Sequence, residues 1–243
     1  MKGGGAVRAL VIQHDHVSPP GHVGARLRER GYEIDEHLVV EEDNFHHPHL
    51  HNPFPGLAGA DIVVALGAPW SAYDDATVGP WVATELDLLR EADAHGIPVL
   101  GICFGGQLLA AAHGGSVERS DEAEVGWTDI ETDDPSLVPE GPWFQWHYDR
   151  FHVPAAATEL ARNAVTSQAF VLRRNLAVQF HPELTPATLD GWLNNGGYEE
   201  SVQHGYDVQA MIEQTADIDA DAQRRAAALV DAFLDRVATT PLP

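Results

Sequence analysis

The chain has 243 residues, 44% of them hydrophobic, which is enough apolar surface for a sizeable core and is most simply one α/β domain. Lys and Arg total 14 against 37 Asp and Glu, a formal net charge of −23, so a nucleic-acid backbone or an anionic membrane is repelled and neither is an expected partner. The single cysteine, Cys103, excludes an internal disulfide and is either a buried small hydrophobe or a reactive thiol.

Residues 1–6 are glycine-rich and lack the apolar run of a secretory signal, and no uninterrupted apolar stretch of about 18 residues occurs, so the expected location is the cytoplasm. Residues 6–12 read as a short β-branched strand and 21–31 as a helix closed by a glycine. Residues 34–40 and 61–66 read as further strands, the latter continuously apolar as buried parallel strands are. Between them the 41–55 loop is acidic, then rich in histidine and proline. Residues 78–95 carry helical spacing up to Gly96, and 97–103 form a fourth strand.

Beyond Gly115 short strands are predicted at 116–119, 125–131, 144–153, 169–172 and 176–180, then helices at 185–194, 207–215 and 219–237. Alternating strands and helices imply an open, mostly parallel sheet flanked by helices. The expected organisation is one unit over 1–243, with a core over 6–195 and a helical C-terminal extension over 205–238. The 219–237 helix is expected to pack on its own domain.

Chemistry concentrates where the fourth strand ends. Gly101-Ile102-Cys103-Phe104-Gly105 is a G-x-Cys-x-G elbow, in which small neighbours permit a sharp turn that exposes the nucleophile at the top of a sheet. The helix starting at Phe104 aims its free amides and positive end at the sulfur, favouring thiolate and offering donors to an oxyanion. The alternative is an inert cysteine ending a buried strand. A thiolate nucleophile needs a base and a group to orient it. His181-Pro182-Glu183 follows a strand; residues two apart in extended backbone share a side, so Glu183 can reach one imidazole nitrogen while the other faces Cys103. Leu66-Gly67-Ala68-Pro69-Trp70-Ser71, after the third strand, supplies a loop for a second oxyanion donor.

Together, Gly-Ile-Cys-Phe-Gly-Gly-Gln, Gln-Phe-His-Pro-Glu and the Gly-x-Pro-x-Ser loop resemble the class I (triad) glutamine amidotransferases, most closely free-standing relatives of the amidotransferase domain of GMP synthase. The resemblance implies a flavodoxin-like fold. It implies that Cys103 forms a γ-glutamyl thioester, that His181 protonates leaving ammonia and then activates water, and that Glu183 orients His181. It further implies an oxyanion hole from Gly67 and Phe104, substrate positioning by Gln107, and a glutamine-holding strand at Phe144-Gln145-Trp146-His147-Tyr148-Asp149, with Trp146, His147 and Tyr148 as binding residues. Two positions depart from the family: Ala68 stands where many relatives have glycine, so a flip to positive φ there would be strained, and Tyr148 replaces a frequent glycine.

No nucleotide-binding or glycine-lysine phosphate loop is present and no cofactor is expected. His46, His47, His49 and His51 lack metal-ligand spacing and are expected on a solvated loop, with no metal. His14 and His16 end the first strand and are expected to serve the surface, with a substrate contact as the other reading. The expected substrate is glutamine or another γ-glutamyl compound, with ammonia passing to a separate synthase subunit if it is used. The rival readings are a γ-glutamyl peptidase and a catalytically silent binding module.

Overall fold

In a computed structural model, residues 6–241 are described; residues 1–5 of the glycine-rich start lie outside them. The first half of the chain runs β1 (Val7–Gln13), α1 (Gly21–Glu29), β2 (Tyr32–Leu38), β3 (Ile62–Ala65), α2 (Gly79–Ala94), β4 (Val99–Ile102) and α3 (Phe104–Ala112). The second half runs β5 (Ser116–Thr128), β6 (Glu131–Thr132), β7 (Trp143–His152), β8 (Thr158–Arg162), β9 (Ser167–Leu172), β10 (Asn175–Val178), α4 (Pro186–Trp192), α5 (Tyr198–Gln203) and α6 (Val208–Ala232).

Eight strands make one sheet in the order β2-β1-β3-β4-β10-β9-β8-β6. From β2 to β10 neighbours pair in parallel, and the remaining three pairings are antiparallel. The parallel strands Ile-Val-Val-Ala and Val-Leu-Gly-Ile are buried at every residue, because helices cover both faces. Strand alternation divides the core. Val11, Val64 and Leu100 join Val23 and Leu27 of α1 and Leu229 and Val230 of α6 on one face. Ile12, Val63 and Val99 join Trp81 and Leu89 of α2 and Leu108 of α3 on the other. Each fully buried Leu, Val or Ile in these layers contributes about 1.5–3 kcal/mol relative to exposure.

Three expectations change. The strands predicted at 116–119 and 125–131 are one strand, β5, with an irregularity between Arg119 and Glu124; it pairs with β7 in a separate two-stranded sheet. The short strands β6 and β8 were not anticipated. The helices predicted at 207–215 and 219–237 are one, α6, continued by a wider turn over Phe233–Val237. The acidic stretch around Asp217 faces outward and contains neither Gly nor Pro, so nothing interrupts the hydrogen-bond ladder.

This topology brings the carboxyl ends of β1, β3, β4 and β10 side by side. The chain segments leaving them carry His14, Gly67, Cys103 and His181.

Candidate active site

Cys103 sits between β4 and α3 with φ +49° and ψ −106°; among the described residues only it and Arg173 are non-glycine residues with positive φ. Such a conformation costs on the order of 1–3 kcal/mol and persists only where neighbours enforce it. Here Cys103 N–H donates to Val178 O at 2.8 Å and Gly105 N–H to Leu66 O at 3.0 Å, pinning the reversal to β10 and β3. The approach is close: a Cβ on Gly105 would stand 2.1 Å from Ala65 O, which only glycine avoids.

His181 is buried just past β10, its N–H donating to Phe144 O at 2.8 Å. Its Nδ1 lies 2.7 Å from Glu183 Oε1, and since a carboxylate accepts, Nδ1 carries the proton. The other nitrogen, Nε2, has no hydrogen-bond partner. Burial opposes charge on this ring, but Glu183 and then Cys103 outweigh it and hold the His181 pKa well above the ordinary imidazole value. Trp192 presses edgewise on the imidazole, with ring centroids 4.9 Å apart, and its Nε1 donates to Ser18 Oγ at 3.0 Å. Gly67 passes beside both groups: a Cβ there would lie 2.9 Å from His181 Cε1 and 3.9 Å from Cys103 Cβ.

The structure therefore brings Cys103, His181, Glu183 and Gly67 together, with Phe104 N–H at the start of α3. Cys103, His181, Gly67 and Phe104 line a cavity of about 520 Å³, along with Trp146, Tyr148 and Trp192, and Glu183 is buried behind His181. A thiol, an imidazole anchored by a carboxylate and free backbone N–H groups are the parts of nucleophilic acyl transfer. Among the described residues no group of three or more His, Cys, Asp or Glu side chains is placed to hold a metal ion. His49 of the histidine-rich loop instead bonds Ala76 O through Nδ1 at 2.8 Å.

The residues expected to bind substrate are placed less uniformly. Gln107 is buried, and its Nε2 donates to Asp149 O at 3.2 Å, bracing β7 from below. His147 is buried too, with Nδ1 3.0 Å from Asp149 O and Nε2 3.2 Å from Glu124 Oε2. Trp146 stands edgewise to Trp192 at 5.7 Å. Tyr148 lies under the Arg119 guanidinium at 4.8 Å, and burial together with Glu200 pushes its phenol well up. Ala68 does not have positive φ, so the strain expected there is absent from this conformation.

Sequence reading missed three groups. Gln179 Nε2 donates to Cys103 Sγ at 3.6 Å. The Asp149 carboxylate accepts from Ser71 Oγ at 2.5 Å and Tyr73 OH at 2.9 Å, tying the loop after β3 to β7. His14 is not a surface residue but wholly buried against Glu85. Gln179 lies two residues before His181 in the sequence, a signal that was available; the other two depend on partners more than 70 residues away.

Residues 25–199 match the family described as glutamine amidotransferase class-I. A GMP synthase (glutamine-hydrolysing) from Aeropyrum pernix is 33% identical over 179 residues, 68% of this chain and 32% of that protein. The chain thus spans a third or less of the GMP synthases it matches. Among solved structures, a glutamine amidotransferase from Thermotoga maritima superposes with TM-score 0.80 at 26% identity, covering 95% of this chain and 99% of that one. Another, from Methylobacillus flagellatus, gives TM-score 0.82 at 25% identity over 98% of both chains.

Proposed function

The chain belongs to the class-I glutamine amidotransferase family, and from that premise we propose that it hydrolyses the side-chain amide of glutamine with Cys103 as nucleophile, His181 as base and Glu183 as orienter. The Cys103 thiolate adds to the amide carbon, and the resulting oxyanion is held by backbone N–H groups at the elbow and the loop after β3. Collapse expels ammonia as His181 supplies its proton, leaving a γ-glutamyl thioester. His181 then takes a proton from water, which attacks the thioester and releases glutamate and the free thiol. Glu183 fixes the tautomer and stabilises the imidazolium throughout.

The observation that carries this reading is the strained cysteine at the strand-to-helix turn, with a carboxylate-anchored histidine in the same cavity. Ammonia released here passes to a separate synthase subunit, a role suggested by the glutamine-hydrolysing GMP synthases that the chain resembles over part of their length. One observation favours a second reading: a cavity of about 520 Å³ is roomier than one amino acid requires, which suits a γ-glutamyl peptide with a larger leaving amine.

Purified protein assayed for glutamate release from glutamine and a panel of γ-glutamyl dipeptides tests both. Release that disappears in Cys103→Ala is expected. No release from any of them, with or without a synthase partner, would exclude the proposal.

A further inference from the structure

His14 leaves the end of β1 into the interior, fully buried against the rings of Trp81 and Phe104, whose centroids lie 5.6 Å and 4.9 Å away. Its Nε2 is 2.9 Å and 3.1 Å from the two oxygens of Glu85, itself fully buried in α2. Its Nδ1 is 3.1 Å from the carbonyl oxygen of Gly67, in the loop beside Cys103. A carbonyl oxygen only accepts, so Nδ1 must donate; a carboxylate also only accepts, so Nε2 donates as well. Imidazolium is the form that satisfies both contacts. Glu85 outweighs the desolvation that opposes it, and the His14 pKa is raised. A buried pair of this kind is expensive to desolvate and is weak evidence for stability in itself. What it does is fix a direction.

The Gly67 carbonyl is turned inward to His14. A trans peptide is planar with C=O and N–H opposed, so the N–H of Ala68 points the other way. Gly67 and Ala68 line the cavity and His14 does not, which sends that N–H toward the cavity that Cys103 also lines. Among the described residues, neither the Ala68 N–H nor the Phe104 N–H has a backbone acceptor.

We propose that His14, locked by Glu85, is a positioning residue that holds the Gly67–Ala68 peptide so that the Ala68 N–H, rather than that of Gly67, is the second oxyanion donor beside Phe104. This rests on the amide-hydrolysis reading above. It moves the donor expected from sequence by one residue, and it makes a histidine outside the cavity a determinant of turnover.

His14→Phe keeps the ring and removes the donor, whereas His14→Asn restores an N–H of similar reach. In folded His14→Phe, kcat on glutamine is expected to fall on the order of 10²-fold, the usual cost of one oxyanion donor, with KM changed less than about threefold. Alkylation of Cys103 by iodoacetamide, which forms no oxyanion, is expected at the wild-type rate, and His14→Asn should recover part of kcat. Unchanged kcat in folded His14→Phe, or a loss matched by equal loss of alkylation rate, overturns the assignment. If His14→Phe does not fold, Glu85→Gln carries the same comparison, with a smaller expected fall in kcat. A crystal structure of the folded variant gives a reading that needs no activity: a reoriented Gly67–Ala68 peptide supports the brace, and an unmoved one refutes it. Wild-type protein inert toward every γ-glutamyl compound would sink the amide-hydrolysis reading while leaving that structural test intact.

Discussion

Two buried histidine–glutamate pairs lie at the carboxyl edge of the same sheet, past β1 and past β10, and they differ in how the ring nitrogens are used. His181 and Glu183 are two residues apart, and the pair leaves Nε2 of the ring without a partner in the cavity. His14 and Glu85 are separated by 71 positions, and both ring nitrogens are occupied, one by the carboxylate and one by Gly67 O. An adjacent carboxylate raises both histidine pKa values against the burial that opposes it, so charge alone does not separate a base from a brace. The second nitrogen does: in the proposed base it is left for the Cys103 thiol, and in the proposed brace both nitrogens are held by the protein's own acceptors.

The comparison breaks first at the nucleophile. Cys103→Ala is expected to cut turnover by about 10⁴-fold or more, since removing the attacking atom removes the covalent route. A glutamine-directed diazo-ketone should label one site per chain, at Cys103; a second labelled residue would undo the assignment. His181→Ala is expected to cost at least about 10²-fold in kcat, and Glu183→Gln less, because the ring stays in place with a weaker partner. Wild-type rates in both variants would show that the pair is not the catalytic one.

The brace is probed through stability and pH. Glu85→Gln is expected to cost about 2 kcal/mol at pH 6, the scale of a buried hydrogen bond to a charged group. The sign follows from linkage: a histidine pKa raised by folding adds stability that is complete below the unfolded value of 6.5 and is lost as pH rises through the folded value. The deficit of Glu85→Gln in urea unfolding should therefore narrow as the pH is raised above 6.5. A deficit that widens instead would mean His14 is neutral in the native protein. The smallest effect is expected from Ala68→Gly. The residue is unstrained as it stands, so the exchange should lower stability by about 0.4–1 kcal/mol through backbone freedom and change kcat less than about threefold. A large increase would reveal that the working conformation has positive φ at this position.

What was legible in the sequence was local. The elbow is written in Gly101, Cys103 and Gly105, and the proposed base and orienter in the triplet His181-Pro182-Glu183, because each arrangement forms within a few residues along the chain. The parallel strands were legible as apolar runs. His14–Glu85 was not, since each is a polar residue with no local pattern and acquires meaning only when β1, α2 and the loop after β3 meet. The same holds for Asp149, whose carboxylate is read only with Ser71 and Tyr73 beside it. The β8 strand, Thr-Glu-Leu-Ala-Arg, is short and partly exposed, so no alternation marks it. The α6 helix was read as two because its acidic middle resembles a linker, although packing at both ends holds it as one.

The tight contact under the elbow also limits how this protein can be made more robust. Glycine-to-alanine exchange in a helix is a common stabilising change, worth up to about 1 kcal/mol. Around the elbow the exchange is closed off: at Gly105, in the first turn of α3, the new methyl would meet Ala65 O at 2.1 Å, and at Gly101, in β4, it would meet Gly105 O at 2.7 Å. Relieving either contact means parting α3 from β3 or β4, which would let the turn at Cys103 relax out of its positive-φ geometry. Heat tolerance has to be engineered elsewhere, for instance on the outward face of α6, because the spacing that presents the sulfur is the same spacing that closes the sheet.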